Sequence, residues 1–513
     1  MPILNLQSIT TLLGMELPDS VPWKKGDGVQ SAFRVNAFEK CFSMVQLSAE
    51  DDGDPNREVH FNMIEIQQGE IPTLKLFNSI NGVSGLQSLP HEQRRLMNIV
   101  SSIFPFRVNN YVVENLINWD RIPDDPIFRL LFPQPEMLAP KHLAELLELI
   151  DRKVNDATLS LAASRIRRAY NPHPDGQFEL NVPMVNQRPF VGMQHKYAQT
   201  LLFFPSHSQT CHSYCGYCFR WAQFIHNPDL HFASTEATAL KQYVVEHPDI
   251  NSILITGGDP LIMRADVLAR YLDPLLSPPF EGLEIRIGTK SIAFWPHRFL
   301  TDHDAEDLLR LFERVVRSGH HLAIMFHNSH PREISTSAAQ LAIKRIRETG
   351  AIIRSQAPVV RYVNDDPGIW AAMWKQQVQL GIVPYYMFIT RDTGPQSYYQ
   401  VPLVRAHQIY REAQLQVSGL ARTARGPSMS TEPGKITIDG ILEISGERFF
   451  ALRFLQGRNQ DWTGRPFLAR FDDQANWLSD LHPPGPGTNT EFFFEQEMRV
   501  FKQERHERLQ EFI

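Results

Sequence analysis

Three of the four cysteines in this 513-residue chain lie close together, at Cys211, Cys215 and Cys218 in the segment CHSYCGYCFR. In a large chain with so few cysteines, a tight group more often binds a metal or does redox chemistry than forms disulfides. Three thiolates leave a zinc site one ligand short unless His207 or His212 completes it, whereas an iron–sulfur cubane held by three cysteines keeps one iron open. The cysteines alone do not decide between a zinc site and an iron–sulfur cluster.

A second group of chemically useful residues follows a later apolar run, in ITGGDPL. Gly257 and Gly258 would let the backbone approach a ligand closely, and Asp259 offers a hydrogen-bond acceptor. A glycine pair at a strand end is by itself an ordinary turn. Beside the cysteine group, it favours a ligand-binding site.

The elements that must position these residues are six short apolar runs that alternate with amphipathic segments. Continuous apolar strands suit a parallel sheet covered by helices, and the pattern predicts an α/β fold with six βα units, as a partial barrel or a doubly wound open sheet. Ligands then belong at the carboxyl ends of the strands. The predicted strands are TLLFFP, SILITGG, LEIRIGT, HLAIMFH, AIIRSQAPVV and IVPYYMFIT. The predicted helices are STEATALKQYVVEH, RADVLARYLDPLL, DAEDLLRLFERVVRSG, SAAQLAIKRIRETG and GIWAAMWKQQVQLG.

The composition pattern divides the chain into three expected parts. Residues 1–190 form a mostly helical accessory domain, in which KHLAELLELIDRKVNDATLSLAASRIRRAY predicts a helix pair after Pro140. Residues 191–420 hold the six βα units. Residues 421–513 are an α+β extension, with a loop RTARGPSMSTEPGK, two β-like runs, a linker HPPGPGTNT and a charged final helix.

Composition and charge exclude several classes of protein. Hydrophobic residues make up 42% and charged residues 21%, which are values of a globular chain rather than a disordered one. A net charge of −6 lacks the basic excess that nucleic acid would require. No run approaches the roughly 18 apolar residues of a membrane span, and no secretory signal is evident, so a cytoplasmic protein is expected. Cys41 is expected to be a buried apolar residue.

The Cys-x-x-x-Cys-x-x-Cys spacing after the first strand of a six-unit βα series resembles the signature of the radical S-adenosylmethionine (SAM) superfamily. The resemblance implies a [4Fe-4S] cluster whose open iron chelates SAM, so that one-electron reduction by flavodoxin or ferredoxin releases a 5′-deoxyadenosyl radical. It also implies that Tyr217 is the superfamily's aromatic residue before the last cysteine. The GGD segment, Gly257 to Asp259, would be the element that meets the SAM amino group.

Four further segments resemble landmarks of the lysine 2,3-aminomutase family, over roughly residues 190–455: IRIGTK, FHNSHPRE, SQAPVVRYVND and PYYMFITRD. The resemblance implies that His327 and Gln356 lie near SAM. It also implies pyridoxal 5′-phosphate (PLP), held as a Schiff base by Lys435 in STEPGKITI. Lys196, Tyr197 and Thr200 stand where the family has basic phosphate ligands, and of these only Lys196 keeps the charge.

The same resemblance gives expectations for the substrate. Arg220 would bind the α-carboxylate of a free amino acid, because a planar guanidinium suits that group. Arg391 and Ser428 fall where lysine-specific enzymes have aspartates, and a cation does not attract an ammonium group. An acidic or polar side chain, such as that of glutamate, is therefore expected. An alignment shifted by one residue would place Asp392 there and restore a basic amino acid.

The expected activity is migration of the α-amino group to the β-carbon, with an amino acid as small-molecule partner. One alternative is a PLP-free radical SAM enzyme that acts on a larger substrate docked by residues 1–190. Another is a non-catalytic iron–sulfur or zinc module. The cysteine group that binds structural zinc in lysine 2,3-aminomutase has no counterpart here, so no zinc is expected, and a homo-oligomer stays one option.

Overall fold

The computed structural model describes residues 44–46, 62–64, 72–170, 176–177, 179–185, 188–225, 233–485 and 491–510. Backbone contacts divide the chain into two compact units, Met1–Ile71 and Pro72–Ile513. Cys41 lies outside the described residues. The first unit contains two short strands, Met44–Gln46 and Asn62–Ile64, that pair antiparallel.

The described strands are β1 (Met44–Gln46), β2 (Asn62–Ile64), β3 (Leu76–Phe77), β4 (Val108–Asn109), β5 (Met184–Val185), β6 (Arg188–Pro189), β7 (Met193–Tyr197), β8 (Thr200–Phe203), β9 (Ser252–Ile255), β10 (Glu284–Thr289), β11 (Leu322–His327), β12 (Ile352–Val359), β13 (Val383–Ile389), β14 (Arg425–Ser430), β15 (Gly434–Ile444), β16 (Glu447–Gly457) and β17 (Pro466–Arg470).

The described α-helices are His91–Ser101, Asn110–Asn115, Pro126–Leu131, Pro140–Asp151, Asp156–Ala169, Ala237–Glu246, Ala265–Leu272, Ser291–Phe294, Ala305–Arg317, Ser337–Glu348, Pro367–Gln379, Gln396–Tyr399, Leu403–Leu415 and Glu495–Gln510. No helix of the described residues combines the length and the apolar character needed to cross a membrane.

One sheet of eleven strands, β7 to β17 in chain order, organises the larger unit. Strands β8 to β14 are parallel neighbours. Strand β7 adds antiparallel at one edge, and β15 to β17 continue antiparallel at the other. The α/β class predicted from the sequence is confirmed, and each of the six predicted strands and five predicted helices forms.

The helices between the strands begin where the sequence supplies caps. Thr336 accepts a hydrogen bond from the amide of Ala339 at the start of Ser337–Glu348. Asp366 accepts one from Ile369, and Pro367 follows it at the first helical position. These residues satisfy amide groups that have no partner inside the helix.

The segment RTARGPSMSTEPGK is a strand where a loop was expected. Residues Arg425–Ser430 form β14, parallel to β13, and Lys435 lies near the start of β15 rather than in a surface loop. Pairing is irregular between Arg425 and Ser428, so Pro427, which has no amide hydrogen, is tolerated there. Met429 is fully buried, which explains why a segment of loop-like composition is held in the sheet.

The predicted helix pair forms as Pro140–Asp151 and Asp156–Ala169. Apolar side chains of residues 80–166 share one hydrophobic core with strands β8 to β11 and their helices. A second core surrounds β13 to β17 and includes side chains of the final helix. The boundaries expected at residues 190 and 420 both fall inside the unit Pro72–Ile513, and the three-part division stays a prediction.

Candidate active site

A cavity of about 320 Å³ opens at the carboxyl ends of the parallel strands. Inward side chains of β8 to β13 line it together with Lys435 of β15, although four strands separate β15 from β10 in the sheet. The predicted site residues that line this cavity are Cys211, Cys215, Tyr217, Cys218, Arg220, Gly257, Gly258, Asp259, His327, Gln356, Arg391 and Lys435.

The cysteine segment follows β8 and is held by backbone hydrogen bonds on two sides. The amides of Gly258 and Asp259 donate to the carbonyl oxygens of Ser208 and Thr210, each at 2.8 Å. On the other side, the amide of Gly216 donates to Leu130 at 2.8 Å. The strand end of β9 and the helical N-terminal segment therefore both fix the cysteine loop.

The glycine pair is needed for this close packing. A Cβ atom on Gly258 would lie 2.3 Å from the carbonyl oxygen of Thr210. Gly257 has φ +154°, and a Cβ there would lie 2.3 Å from the Ser208 hydroxyl. Backbone cannot yield as a flexible side chain does, so residues with a Cβ would displace the loop.

Asp259 is buried, and its carboxylate is occupied by protein donors. It accepts hydrogen bonds from the hydroxyls of Thr289 at 2.8 Å and Ser291 at 3.0 Å, and from the amides of Leu261 and Lys290 at 3.0 and 2.8 Å. Burial raises the pKa of this carboxyl, and the hydrogen bonds act against that rise. Asp259 thus ties the end of β9 to the end of β10. Its expected contact with SAM stays a prediction.

The three thiols suit an iron–sulfur cluster better than a single ion. Among the described residues, no three His, Cys, Asp or Glu side chains converge closely enough to hold one metal ion. A cubane makes a different demand, because each cysteine binds a separate iron. Burial raises the pKa of all three thiols, that of Cys215 to about 12, so the free thiols are protonated at neutral pH.

A buried ion pair beneath the cysteine loop is not evident from the sequence. Lys290 donates to both carboxylate oxygens of Glu333, at 2.8 and 2.9 Å, and Glu333 is fully buried. Glu333 also accepts from the amide of Ser329 at 2.8 Å, and the Ser329 hydroxyl meets the Tyr217 hydroxyl at 3.0 Å. This network links Tyr217 of the cysteine loop to the ends of β10 and β11.

His327 and Gln356 meet at the ends of two neighbouring strands. The Gln356 amide nitrogen and the Nε2 atom of His327 are 2.8 Å apart, and both residues line the cavity. Burial lowers the pKa of His327 to about 3, with further contributions from Lys290 and Arg220. His327 is therefore a neutral imidazole that can exchange hydrogen bonds without carrying charge.

Lys435 presents an unusual amine to the cavity. Its Nζ atom lies over the ring of Tyr386, 4.2 Å from the ring centroid. Burial, together with the positive charges of Arg286 and Arg425, lowers the pKa of Lys435 to about 7. An amine with such a pKa is a nucleophile at neutral pH, whereas a solvated lysine is protonated.

Two arginines flank one aromatic ring on another wall. The guanidinium groups of Arg220 and Arg391 lie 4.8 and 5.3 Å from the centroid of Phe219, and Arg220 also lies 4.2 Å from Phe204. Burial lowers the pKa of Arg220 to about 9, so it remains a cation at neutral pH. A guanidinium group can bind a carboxylate through two parallel hydrogen bonds, so both arginines are suited to that task.

The cavity wall is strongly positive. Arg220, Arg286, Arg391 and Lys435 line it, whereas Asp259 is the single acidic side chain on the wall among the described residues. The hydrogen bonds of Asp259 are already made within the protein. A ligand of this cavity should therefore carry more than one anionic group.

The predicted residues Lys196, Asp392 and Ser428 do not line the cavity. Lys196 donates to the carbonyl oxygen of Thr431, and Asp392 lies beside Arg391, with 3.6 Å between Nε and Oδ1. Ser428 is fully buried, and its hydroxyl faces the Met387 carbonyl at 3.5 Å. Their expected ligand roles stay predictions.

The cavity is also lined by residues for which the sequence indicates no role or only a doubtful one. Tyr197 and Thr200 line it, as does Ser430, two residues beyond Ser428. Arg286 and Lys290 line it as well. Alternation along β10 is the signal that could have found the last two, since residues 286, 288 and 290 face one side of the strand.

Comparison with known proteins identifies aminomutases. A protein of Aquifex aeolicus (strain VF5), provisionally named L-lysine 2,3-aminomutase, is 30% identical over 396 residues, which are 77% of this chain and 92% of that protein. The L-lysine 2,3-aminomutase of Escherichia coli (strain K12) is 27% identical and covers 50% of this chain and 71% of its own length. The glutamate 2,3-aminomutase of Clostridioides difficile (strain 630) is 25% identical and covers 41% and 47%.

Comparison with solved structures gives matches of low similarity. A radical SAM methyltransferase from Sphaerobacter thermophilus has a TM-score of 0.32 and 14% identity over 46% of this chain and 68% of that chain. SuiB of Streptococcus suis bound to S-adenosylmethionine has a TM-score of 0.31 and 10% identity over 53% and 56%. No family model matches the chain.

Proposed function

The chain belongs to the lysine 2,3-aminomutase family of radical SAM enzymes, and we propose that it moves the α-amino group of a free amino acid with an acidic or polar side chain to the β-carbon. Glutamate is the first candidate substrate. The observation that carries the proposal is one cavity that contains the three cysteines, the Lys435 amine and the Arg220–Arg391 pair.

The residues present fit the cofactors of such a reaction. Cys211, Cys215 and Cys218 would hold a [4Fe-4S] cluster, which supplies the electron that breaks the C5′–S bond of SAM to give methionine and a 5′-deoxyadenosyl radical. Gly257, Gly258, His327 and Gln356 line the same wall as the cysteines and would receive SAM. Lys435 would hold PLP, which supplies a π-system through which nitrogen can migrate between neighbouring carbons.

The chain's own groups prepare this chemistry. The Lys435 Nζ atom can give up its proton near neutral pH because its pKa lies at about 7. Arg220 would fix the α-carboxylate of the substrate, so that the α-amino group is presented from a set direction. Aromatic walls, with Tyr385, Tyr386 and Phe388 on one strand, keep bulk water from a reactive intermediate.

The charge of the cavity favours an acidic substrate. Arg391 lies where lysine-specific relatives are expected to have an aspartate, and it shares the Phe219 ring with Arg220. A second carboxylate at Arg391 would be stabilised, and the ammonium group of lysine would be repelled. Asp392 does not line the cavity, which weighs against a basic amino acid.

Further parts of the proposal concern the whole enzyme. The six βα units would curve as the partial barrel of radical SAM enzymes, with residues 1–190 as an accessory segment and 421–513 as the extension that brings Lys435. A flavodoxin or ferredoxin would deliver the electron to the cluster. A homo-oligomer is one possible assembly of the chain, and light scattering would measure its mass.

Borohydride trapping tests the PLP site. The anaerobically purified chain is mixed with PLP, reduced with borohydride, digested and analysed by mass spectrometry. A phosphopyridoxyl group on Lys435 is expected, and it should be lost in Lys435→Met. The control Lys344→Met removes an exposed lysine, paired with Glu348, and should trap as the native chain does. An unmodified Lys435 would overturn the PLP assignment.

A substrate screen tests the reaction itself. Reconstituted enzyme with SAM, PLP and reductant is incubated with each of the common amino acids and with ornithine, and β-amino acids are sought by chromatography and mass spectrometry. We expect glutamate or another acidic or polar amino acid to react. Failure of every amino acid, with Lys435 trapped, would reject amino group migration. Lysine as the preferred substrate would reject the role given to Arg391.

A further inference from the structure

Arg286 is a cavity residue with two guanidinium nitrogens that have no hydrogen-bond partner among the described residues. It lies in β10, and Arg286, Gly288 and Lys290 alternate along the side of the strand that lines the cavity, while Ile285 and Ile287 are buried on the other side. A Cβ on Gly288 would have no neighbour closer than 3.6 Å. The space above Arg286 is therefore not filled by its own strand.

The strand partners of Arg286 are apolar. In the sheet it pairs with Leu254 of β9 and Ala323 of β11. Its Nε and Nη2 atoms are buried and have no hydrogen-bond partner among the described residues. Buried guanidinium nitrogens without partners are unfavourable, so a partner from outside the protein would stabilise this arrangement.

A second basic side chain faces the same cavity. Lys435 lies in β15, and the positive charges of Arg286 and Arg425 contribute to the low pKa of its amine. Within the described part of the chain, the only carboxylate on the cavity wall is that of Asp259, which is bonded to β10 and its following turn. A ligand that reaches both Arg286 and Lys435 must bring its own negative charge.

The residues expected to bind phosphate by resemblance are poorly suited to it here. Lys196 donates to the Thr431 carbonyl and does not line the cavity, and Thr200 carries no charge. A planar guanidinium with two available N–H groups can bind two oxygens of one phosphate. We propose that Arg286 binds the phosphate group of the pyridoxal phosphate that Lys435 holds. This inference rests on the proposed function and adds a residue to it.

Thermal stability distinguishes a ligand-binding role of Arg286 from a purely structural one. If Arg286 stabilised the fold, Arg286→Met would lower the melting temperature of the ligand-free chain. If its charge is kept for a ligand, the same variant should melt at the same temperature or higher, because an uncompensated buried cation is replaced by an apolar side chain of similar length.

The binding test compares two ligands that differ only in the phosphate. PLP and pyridoxal are titrated into the anaerobically purified native chain and into Arg286→Met, and binding is followed by absorbance and by borohydride trapping at Lys435. The dissociation constant for PLP should rise roughly 10- to 100-fold in the variant, as expected for one charge-assisted hydrogen-bonding group. That for pyridoxal should change by less than about threefold. Arg286→Lys should recover part of the PLP affinity.

Arg354→Met provides the matched control. Arg354 also projects from a parallel strand and lies 5.3 Å from the Tyr385 ring, but it does not line the cavity. It should leave the affinities for PLP and for pyridoxal unchanged. The phosphate role would be overturned if Arg286→Met lost affinity for PLP and for pyridoxal equally, or if it lost no affinity for PLP. The second result would leave a substrate carboxylate as the ligand of Arg286. If native Lys435 traps no PLP, the proposed function itself fails, which is a different result.

Discussion

Lys435 shows how the same residue type takes on different chemistry in different surroundings. Its Nζ atom lies over the Tyr386 ring and is removed from water, so the charged form loses stability relative to the neutral amine. A solvated lysine has the same side chain and stays protonated at neutral pH. The sequence identifies the position by resemblance to a family, but the lowered pKa of Lys435 follows from burial of the amine first and from the positive charges of Arg286 and Arg425 second.

The rate of PLP capture should therefore depend on pH around neutrality. Because the folded-state pKa is lowered to about 7 from the ordinary value of 10.5, the neutral amine increases from roughly one tenth at about pH 6 to roughly nine tenths at about pH 8. Stopped-flow absorbance should show capture rising over this range and levelling above it. In Arg286→Met the midpoint should move upward, because one neighbouring positive charge is removed. A midpoint near 10 in the native chain would contradict this account.

Arg391 should determine which side chain the enzyme accepts. With the acidic substrate found by screening, Arg391→Met should raise KM roughly 10- to 100-fold, as for the loss of one ionic hydrogen-bonding group, and should change kcat little. The reason is that the side-chain carboxylate does not take part in the migration of nitrogen. Steady-state kinetics at several substrate concentrations separates the two constants.

The control for this variant is Arg453→Met. Arg453 forms an ion pair with Asp439, and the side chains of both residues are exposed. It should leave KM and kcat unchanged. A fall in kcat for all amino acids in Arg391→Met, with KM constant, would show that Arg391 supports the fold of the site rather than the choice of substrate.

At the scale of elements, the sequence predicts what depends on local pattern. The six parallel strands and their helices follow from apolar runs and helical spacing, and they form as expected. β14 was missed because GPSMS has the composition of a loop, and only burial of residues such as Met429 against neighbouring elements makes it a strand. Ser430 of the same strand lines the cavity and Ser428 does not, and the ligand role expected of Ser428 stays a prediction.

The site was predictable where residue types carry the chemistry and was not where packing does. Cysteines, the glycine pair and Lys435 can be found in the sequence because few residues can replace them. Lys290 and Glu333 are 43 residues apart in the sequence, and they form an ion pair because the segments that follow β10 and β11 lie side by side. The Asp259 carboxylate accepts hydrogen bonds from the Thr289 and Ser291 hydroxyls, which requires the end of β9 to lie beside the end of β10. Contacts between residues so far apart in the chain cannot be predicted from a local sequence pattern.

The close approach of β9 to the cysteine loop gives a test at this scale. Gly258→Ala would place a methyl group 2.3 Å from the Thr210 carbonyl oxygen, and relief of such overpacking displaces backbone at about 1–3 kcal/mol. Iron and sulfide content after anaerobic reconstitution should fall. Gly440→Ala, where no atom lies within 4 Å of the new Cβ, should keep full iron content. Equal iron in both variants would show that the loop does not need this glycine.

At the scale of the whole molecule, the N-terminal segment is part of the site's support. Arg107 donates to the Thr210 hydroxyl, and its carbonyl accepts from the Tyr214 amide at 2.9 Å. Leu130 accepts from Gly216, between the second and third cysteines of the motif. The cysteine loop therefore lies between the sheet and residues 104–132. Residues 104–132 thus hold the cysteine loop in place.

Asn109 connects the three segments involved, so it should couple global stability to cluster assembly. It is fully buried, accepts from the Val112 amide at 2.9 Å, and donates to the carbonyls of His212 at 3.3 Å and Phe294 at 2.8 Å. Asn109→Ala leaves these buried groups without partners, which should lower the free energy of unfolding by about 2–5 kcal/mol. Because His212 follows Cys211, iron content should fall in the same variant.

Asn118→Ala separates this coupling from the general effect of losing a helix cap. Asn118 caps a short exposed turn through the Asp120 amide at 3.1 Å, away from the cysteine loop. Its loss should lower stability by about 1 kcal/mol and leave iron content at the native level. Thermal unfolding and iron analysis on both variants distinguish the two cases. If Asn109→Ala unfolds at a lower temperature but retains full iron below its transition, the N-terminal segment stabilises the fold without positioning the cluster ligands.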